Sequence, residues 1–167
     1  MSNSSPLIHL TRLGKLGYMK KAFPFLMIPE SVRVETIDDG KANGYADALI
    51  IENLEREGWL RTVRLAEPSS MKITRNLGGA IGKGEAEAIA LALERKERLL
   101  IDDEKGRRAA ELYGVETTST LGIIFELLIE EILPREDYER NVKNYASQGW
   151  ITSDVIQEFL DRGNHLG

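Results

Sequence analysis

Short apolar runs alternate along this chain with longer segments whose apolar residues recur at helical spacing, and that alternation limits the fold more than any other feature. Phe25-Leu26-Met27-Ile28 reads as a buried strand, stopped by Pro29, whose fixed φ suits the first turn of a helix. Ala42 to Glu57 carries Ala46, Leu49, Ile50 and Leu54 at helical spacing, and Gly58 ends it. Trp59 to Leu65 alternates imperfectly as a second strand. A helix over Glu85 to Glu97 leads into the strand Arg98-Leu99-Leu100-Ile101. A further helix through Ala109 and Leu112 stops at Gly114. Val115 to Thr117 reads as one more strand, and Thr118 or Ser119 caps the helix through Phe125 and Leu128. Such a pattern predicts an α/β domain of three layers, α/β/α, around a mostly parallel sheet. Glu67 to Gly84, rich in Ser, Gly and Pro, reads as a loop. After Pro134 a polar helical pair follows, Glu136 to Ala146 and Thr152 to Leu160. The organisation expected is an α/β body over 1–133, with 134–167 a helical extension of the same domain.

At 167 residues the chain has the size of one domain. Its net charge of −5 argues against a globally basic nucleic-acid binder but leaves room for a local basic patch. Cysteine is absent, which removes thiol catalysis, Cys-ligated zinc and disulfides. With only His9 and His165 as histidines, metal or acid–base chemistry must lean on carboxylates. The first residues lack the charged start and apolar run of a signal peptide, and no apolar stretch is long enough to span a bilayer. A cytoplasmic protein is expected.

In an open α/β sheet, ligands collect beyond the carboxyl ends of the strands. That rule selects Asn3, Glu35, Asp102-Asp103 and Thr118 to Thr120, and Glu85 joins them at a helix start. Clustered carboxylates repel unless a cation neutralises them, and oxygen donors suit Mg²⁺ or Mn²⁺. Metal-assisted phosphodiester hydrolysis follows as the candidate chemistry. Each residue also has a structural explanation. Glu85 meets the positive end of a helix dipole, Asp102-Asp103 fits a turn and N-cap, and Glu35 fits a solvated helix face. Gly78 to Gly84 fails as a phosphate loop, because Leu77 and Gly84 stand where that motif needs Gly and Ser or Thr, and it reads as flexible loop. His9 reads as a packed histidine, and Trp59 and Trp150 as core or interface residues. Ile151, Ile156 and Phe159 suit either a subunit interface or burial within the monomer.

Five pieces in order resemble the PIN-domain nucleases. They are Ser2-Asn3-Ser4-Ser5-Pro6-Leu7-Ile8, Ile28-Pro29-Glu30-Ser31-Val32 leading to Glu35, Gly84-Glu85-Ala86-Glu87-Ala88-Ile89-Ala90-Leu91-Ala92, Leu99-Leu100-Ile101-Asp102-Asp103, and Ser119-Thr120-Leu121-Gly122. The chain looks most like a prokaryotic branch with Ser-Pro-Leu-Ile after the first strand. The resemblance implies a Mg²⁺- or Mn²⁺-dependent ribonuclease, in many members the toxin of a toxin–antitoxin pair. By position it assigns catalytic and metal-holding roles to Glu35, Glu85 and Asp103, with Asp102 and Glu87 as second choices. A fourth position falls on Thr120, or on Ser119 as second choice.

One departure bears on activity. The aspartate expected after the first strand aligns with Asn3, whose amide oxygen coordinates a hard cation without adding negative charge. Only two residues precede Asn3, so either the first strand is minimal or its start lies upstream. Arg75, Lys83, Lys105, Arg107 and Arg108 lie in basic stretches that could track an RNA backbone. The sequence therefore leads to a metal-dependent ribonuclease, with RNA, an antitoxin protein and further copies of the chain as expected partners. The alternative is a PIN-like RNA-binding or protein-interaction module with impaired catalysis.

Overall fold

The computed structural model describes residues 1–149 and 151–165, so Trp150 lies outside the described residues. β1 (Leu26–Pro29) and β2 (Leu60–Val63) pair in parallel, and so do β3 (Leu99–Leu100) and β4 (Thr117–Thr118). Residues 1–3 join the two ladders. Ser2 N–H donates to Met27 O at 2.9 Å, Leu100 N–H to Met1 O at 2.8 Å, and Asn3 N–H to Leu100 O at 3.2 Å. Ser2 and Leu100 form a parallel bridge. The order across the sheet is thus β2, β1, residues 1–3, β3, β4. This short segment is bonded on both edges.

Side chains leave this sheet alternately to its two faces, as the pleat requires. Leu26, Ile28 and Leu100 enter one apolar cluster, while Met1, Leu99 and Ile101 enter the other, with Met27 packed against it. The first cluster is covered by α1 (Ser4–Arg12), α2 (Met19–Ala22), α3 (Glu30–Arg33) and, after α4 (Gly40–Ala42), which continues the helix of α3 beyond residue 39, by α5 (Ala46–Arg56). The second is covered by α6 (Pro68–Leu77), α7 (Lys83–Arg95) and α8 (Glu104–Leu112). Alanines at 86, 88, 90 and 92 let α7 lie close against the sheet. The expected three-layer α/β/α arrangement is what the chain adopts.

α9 (Thr120–Ile129), α10 (Arg135–Ser147) and α11 (Ser153–Asn164) return to the first face. Tyr138, Val142, Tyr145 and Phe159 are buried in the same cluster as Leu7 and Ile28, and Ile151 and Ile156 pack against it. The Tyr138 hydroxyl donates to Phe159 O at 2.5 Å, and Gly163 gives its ring room: a Cβ there would stand 2.5 Å from Tyr138 Cε1. Burial within the monomer accounts for these apolar residues. Trp59 is buried as well, with Nε1 donating to Phe23 O at 2.9 Å.

One expectation fails. Glu67 to Gly84 is not a loop, because α6 occupies most of it and Lys83 and Gly84 already belong to α7. Ser70, Ile73 and Leu77 recur at helical spacing and turn inward, and Pro68 sits where a helix tolerates it best. Ser, Pro and Gly punctuate the ends of this helix, and their density masked its short apolar face.

Candidate active site

The carboxyl ends of the central strands open onto two clefts that share Ser5. The smaller, about 610 Å³, is lined by Asn3, Glu35, Glu85, Glu87 and Lys83 among others. The larger, about 870 Å³, carries Asp102, Asp103, Arg107 and Ser119. Sequence reasoning grouped these acids as one constellation, and the fold sets them along two adjoining hollows.

In the smaller cleft Asn3 is buried, and its side-chain N–H lies 3.4 Å from Glu85 Oε1. Its carbonyl oxygen, Oδ1, is shut from solvent with no hydrogen-bond donor among the described residues. Glu85 stands at the third position of α7, where Gly82 N–H donates to Oε2 at 3.2 Å. Burial raises the Glu85 carboxyl above its usual range; the Gly82 N–H opposes this, and the charges of Asp103 and Glu35 add to it. Glu35 projects from a π-helical segment, Val34–Asp39, between α3 and α4, and accepts a 2.6 Å bond from the Ser4 hydroxyl. π-Helical turns are rare and concentrate at functional sites. Glu87 accepts from the Ser31 hydroxyl at 2.5 Å. Gly84 keeps this corner open, since a Cβ there would lie 3.2 Å from Val32 Cγ2 and 3.5 Å from Glu35 Oε2.

The two aspartates after β3 have different tasks. Asp103 is exposed and caps α8, accepting from Gly106 N–H at 2.8 Å. Asp102 is held by Thr120, whose N–H and hydroxyl both donate at 2.7 Å, and by His9 Nδ1, also at 2.7 Å. Thr120 is wholly buried beneath Asp102, and Ser119 caps α9 through Gly122 N–H. The Tyr145 hydroxyl, 3.3 Å from His9 Nδ1, stays protonated well above the usual tyrosine range because of burial and the charge of Asp102. His9 is thus packed, as expected, but packed onto an aspartate. Of the basic residues singled out, Lys83 and Arg107 line the clefts, whereas Arg75, Lys105 and Arg108 are exposed and line neither. Ser4, Ser31 and Tyr145 were not singled out. Ser4 had a signal in its adjacency to Asn3, but nothing local ties Tyr145 to a site near residue 102.

The sequence model of the PIN-domain family matches residues 1–165. The chain belongs to the PIN-domain family. No curated protein and no solved structure matches it. Membership makes this a nuclease-like fold of a kind that generally uses divalent metal. Among the described residues, no three His, Asp or Glu side chains form a ready metal-holding group, and no helix is long and apolar enough to cross a membrane.

The donor set in this PIN domain still fits a hard cation. Mg²⁺ keeps several waters and is held through one or two carboxylates, so a closed cage is not required. The orphaned Asn3 Oδ1 and the carboxylates of Glu35 and Glu85, which line the same cleft, are oxygen donors of the right chemistry.

Proposed function

We propose that this PIN domain is a divalent-metal-dependent ribonuclease that cuts phosphodiester bonds at Asn3, Glu35 and Glu85 of the smaller cleft, with Asp103 in the adjoining one. The observation that carries the reading is Asn3 Oδ1, a buried acceptor without a donor. A buried polar atom left unpaired costs about 1–3 kcal/mol, and a cation would answer it together with the mutual repulsion of Glu85, Asp103 and Glu35.

Asn3 and Glu85 would hold Mg²⁺ or Mn²⁺, with Glu35 and Asp103 completing the shell directly or through water. When bound, such an ion stabilises charge on a phosphoryl oxygen and lowers the pKa of water. The rest is done by the chain itself. Ser4 fixes Glu35, Gly106 N–H fixes Asp103, and Lys83 offers positive charge at the cleft edge.

The test is cleavage of labelled single-stranded RNA with Mn²⁺, with EDTA, and by Asp103→Asn. Cutting that needs Mn²⁺ and is lost in the variant is expected. A folded Asp103→Asn protein that still cuts overturns the assignment. Growth arrest on expressing the wild type but not the variant would extend the reading to a toxin with an antitoxin partner.

A second reading draws on Asn3 itself, since a neutral amide at this position weakens cation binding. RNA binding without cutting would favour an RNA-binding module, and Asn3→Asp would then be expected to confer Mn²⁺-dependent cleavage.

A further inference from the structure

We infer that the larger cleft is a nucleotide subsite, in which Arg107 grips an RNA phosphate next to the one being cut; this rests on the ribonuclease reading. Four carboxylates line the cleft and each has a partner: Asp102 is held by His9 and Thr120, Asp103 by Gly106 N–H, Glu104 by Arg108 at 2.5 Å, and Glu158 by Arg162 at 3.7 Å. Arg107 is different. Among the described residues its side chain has no hydrogen bond and no ion pair, and its Nε is shut from solvent without an acceptor.

A guanidinium nitrogen held out of water without an acceptor is costly unless an anionic ligand supplies one. The planar fork of arginine matches the oxygens of a phosphate two at a time. The cleft is also roomy enough, about 870 Å³, within the range of small-ligand sites.

Position supports a nucleic-acid strand over a free anion. Ser5 borders both clefts, and Asp103, whose charge acts on Glu85 in the smaller one, lines the larger. A strand laid across the carboxylates therefore runs on into the Arg107 cleft. Ile151, Val155 and Phe159 of the α11 region also line the cleft, beside Thr152, Glu158 and Arg162, and such apolar side chains suit a base.

The experiment measures binding of a short labelled single-stranded RNA in EDTA, where the strand stays intact, as a function of salt. Wild type, Arg107→Gln, Arg107→Lys and the surface control Arg140→Gln are compared after each is shown to melt cooperatively. Arg107→Gln is expected to weaken binding about tenfold and to reduce the salt slope by about 0.7, the contribution of one phosphate contact on a single strand. Arg107→Lys is expected to restore the slope, and Arg140→Gln to match wild type.

RNA binding by Arg107→Gln with wild-type affinity and slope overturns the subsite and leaves the ribonuclease reading standing. Failure of the wild type to bind or cut RNA overturns both. Unchanged RNA binding together with lost binding of a polyglutamate peptide would assign the cleft to an acidic protein segment instead, which also overturns the proposal.

Discussion

Asn3 and Glu85 are neighbours with opposite complaints. One lacks a donor for its oxygen, and the other carries a charge that burial and nearby carboxylates disfavour. The sign of the Glu85 effect is the reverse of a salt-bridged acid. A carboxyl whose folded pKa lies above its unfolded value supports the fold in acid, and that support is lost as pH rises through the folded value. At neutral pH the charge on Glu85 therefore works against folding, to an extent limited by its partial exposure to solvent. Glu85→Gln in EDTA is expected to raise the melting temperature by about 1–2 °C, since roughly 2–4 °C accompanies each kcal/mol in a domain this size. With Mn²⁺ the order reverses, because only the wild type gains from native-state binding. A differential melting scan of the two proteins, with and without Mn²⁺, checks both statements. Glu35, Glu85 and Asp103 could be singled out as candidates from the sequence, Glu85 and Asp103 by standing at helix starts and Glu35 by its place in the helix after Pro29. The partners that aim them could not. Ser4 reaches Glu35 across 31 positions and His9 reaches Asp102 across 93, and no local spacing encodes such a meeting.

Single glycines and tyrosines set how the helices seat. A Cβ at Gly106 would stand 2.5 Å from Ile101 Cδ1, so the bare position lets α8 seat closely on Ile101, just beyond β3. Gly106→Ala is expected to cost about 1–3 kcal/mol by overpacking and to lower the denaturant midpoint with an unchanged m-value in urea titrations. At the α10–α11 contact, burial pushes the Tyr138 hydroxyl up to about 12, with a small opposing pull from Arg162. An acid with a raised folded pKa favours the fold while both states are protonated. Stability should therefore hold below about pH 10, the ordinary tyrosine value, and fall as pH rises towards 12. Tyr138→Phe is expected to flatten that alkaline decline while losing about 1 kcal/mol at neutral pH with the bond to Phe159 O, as urea melts across pH would record. Element reading from sequence went furthest where periodicity was strong, as in α7, and failed at α6. There three inward residues, Ser70, Ile73 and Leu77, had to outweigh Pro68 and two glycines.

The C-terminal pair decides how far this molecule can be divided. Tyr138 and Tyr145 are among the largest fully buried side chains, and they share a cluster with Leu7, Ile28 and Ile124. A chain ending at residue 133 would open that cluster to water. It is expected to lose its cooperative thermal transition, as followed by circular dichroism, whereas a loss confined to helical signal with an intact transition would argue for an independent body over 1–133. The three layers could be read from the alternation of runs, but the dependence of the first layer on residues 138–159 could not. A polar helix pair looks dispensable until its few inward residues are seen meeting α1 and α9.

The place of residues 1–3 in the middle of the sheet has a consequence in time. During synthesis this segment emerges long before Leu100, its neighbour on one side, and before Asp103 of the adjoining cleft. Until then β1 and β2 stand with an open parallel edge, and pairing across such a separation is slow to close. A nascent chain of this kind carries no complete cleft through most of its own translation. Its cleft is assembled only when the second half of the sheet arrives.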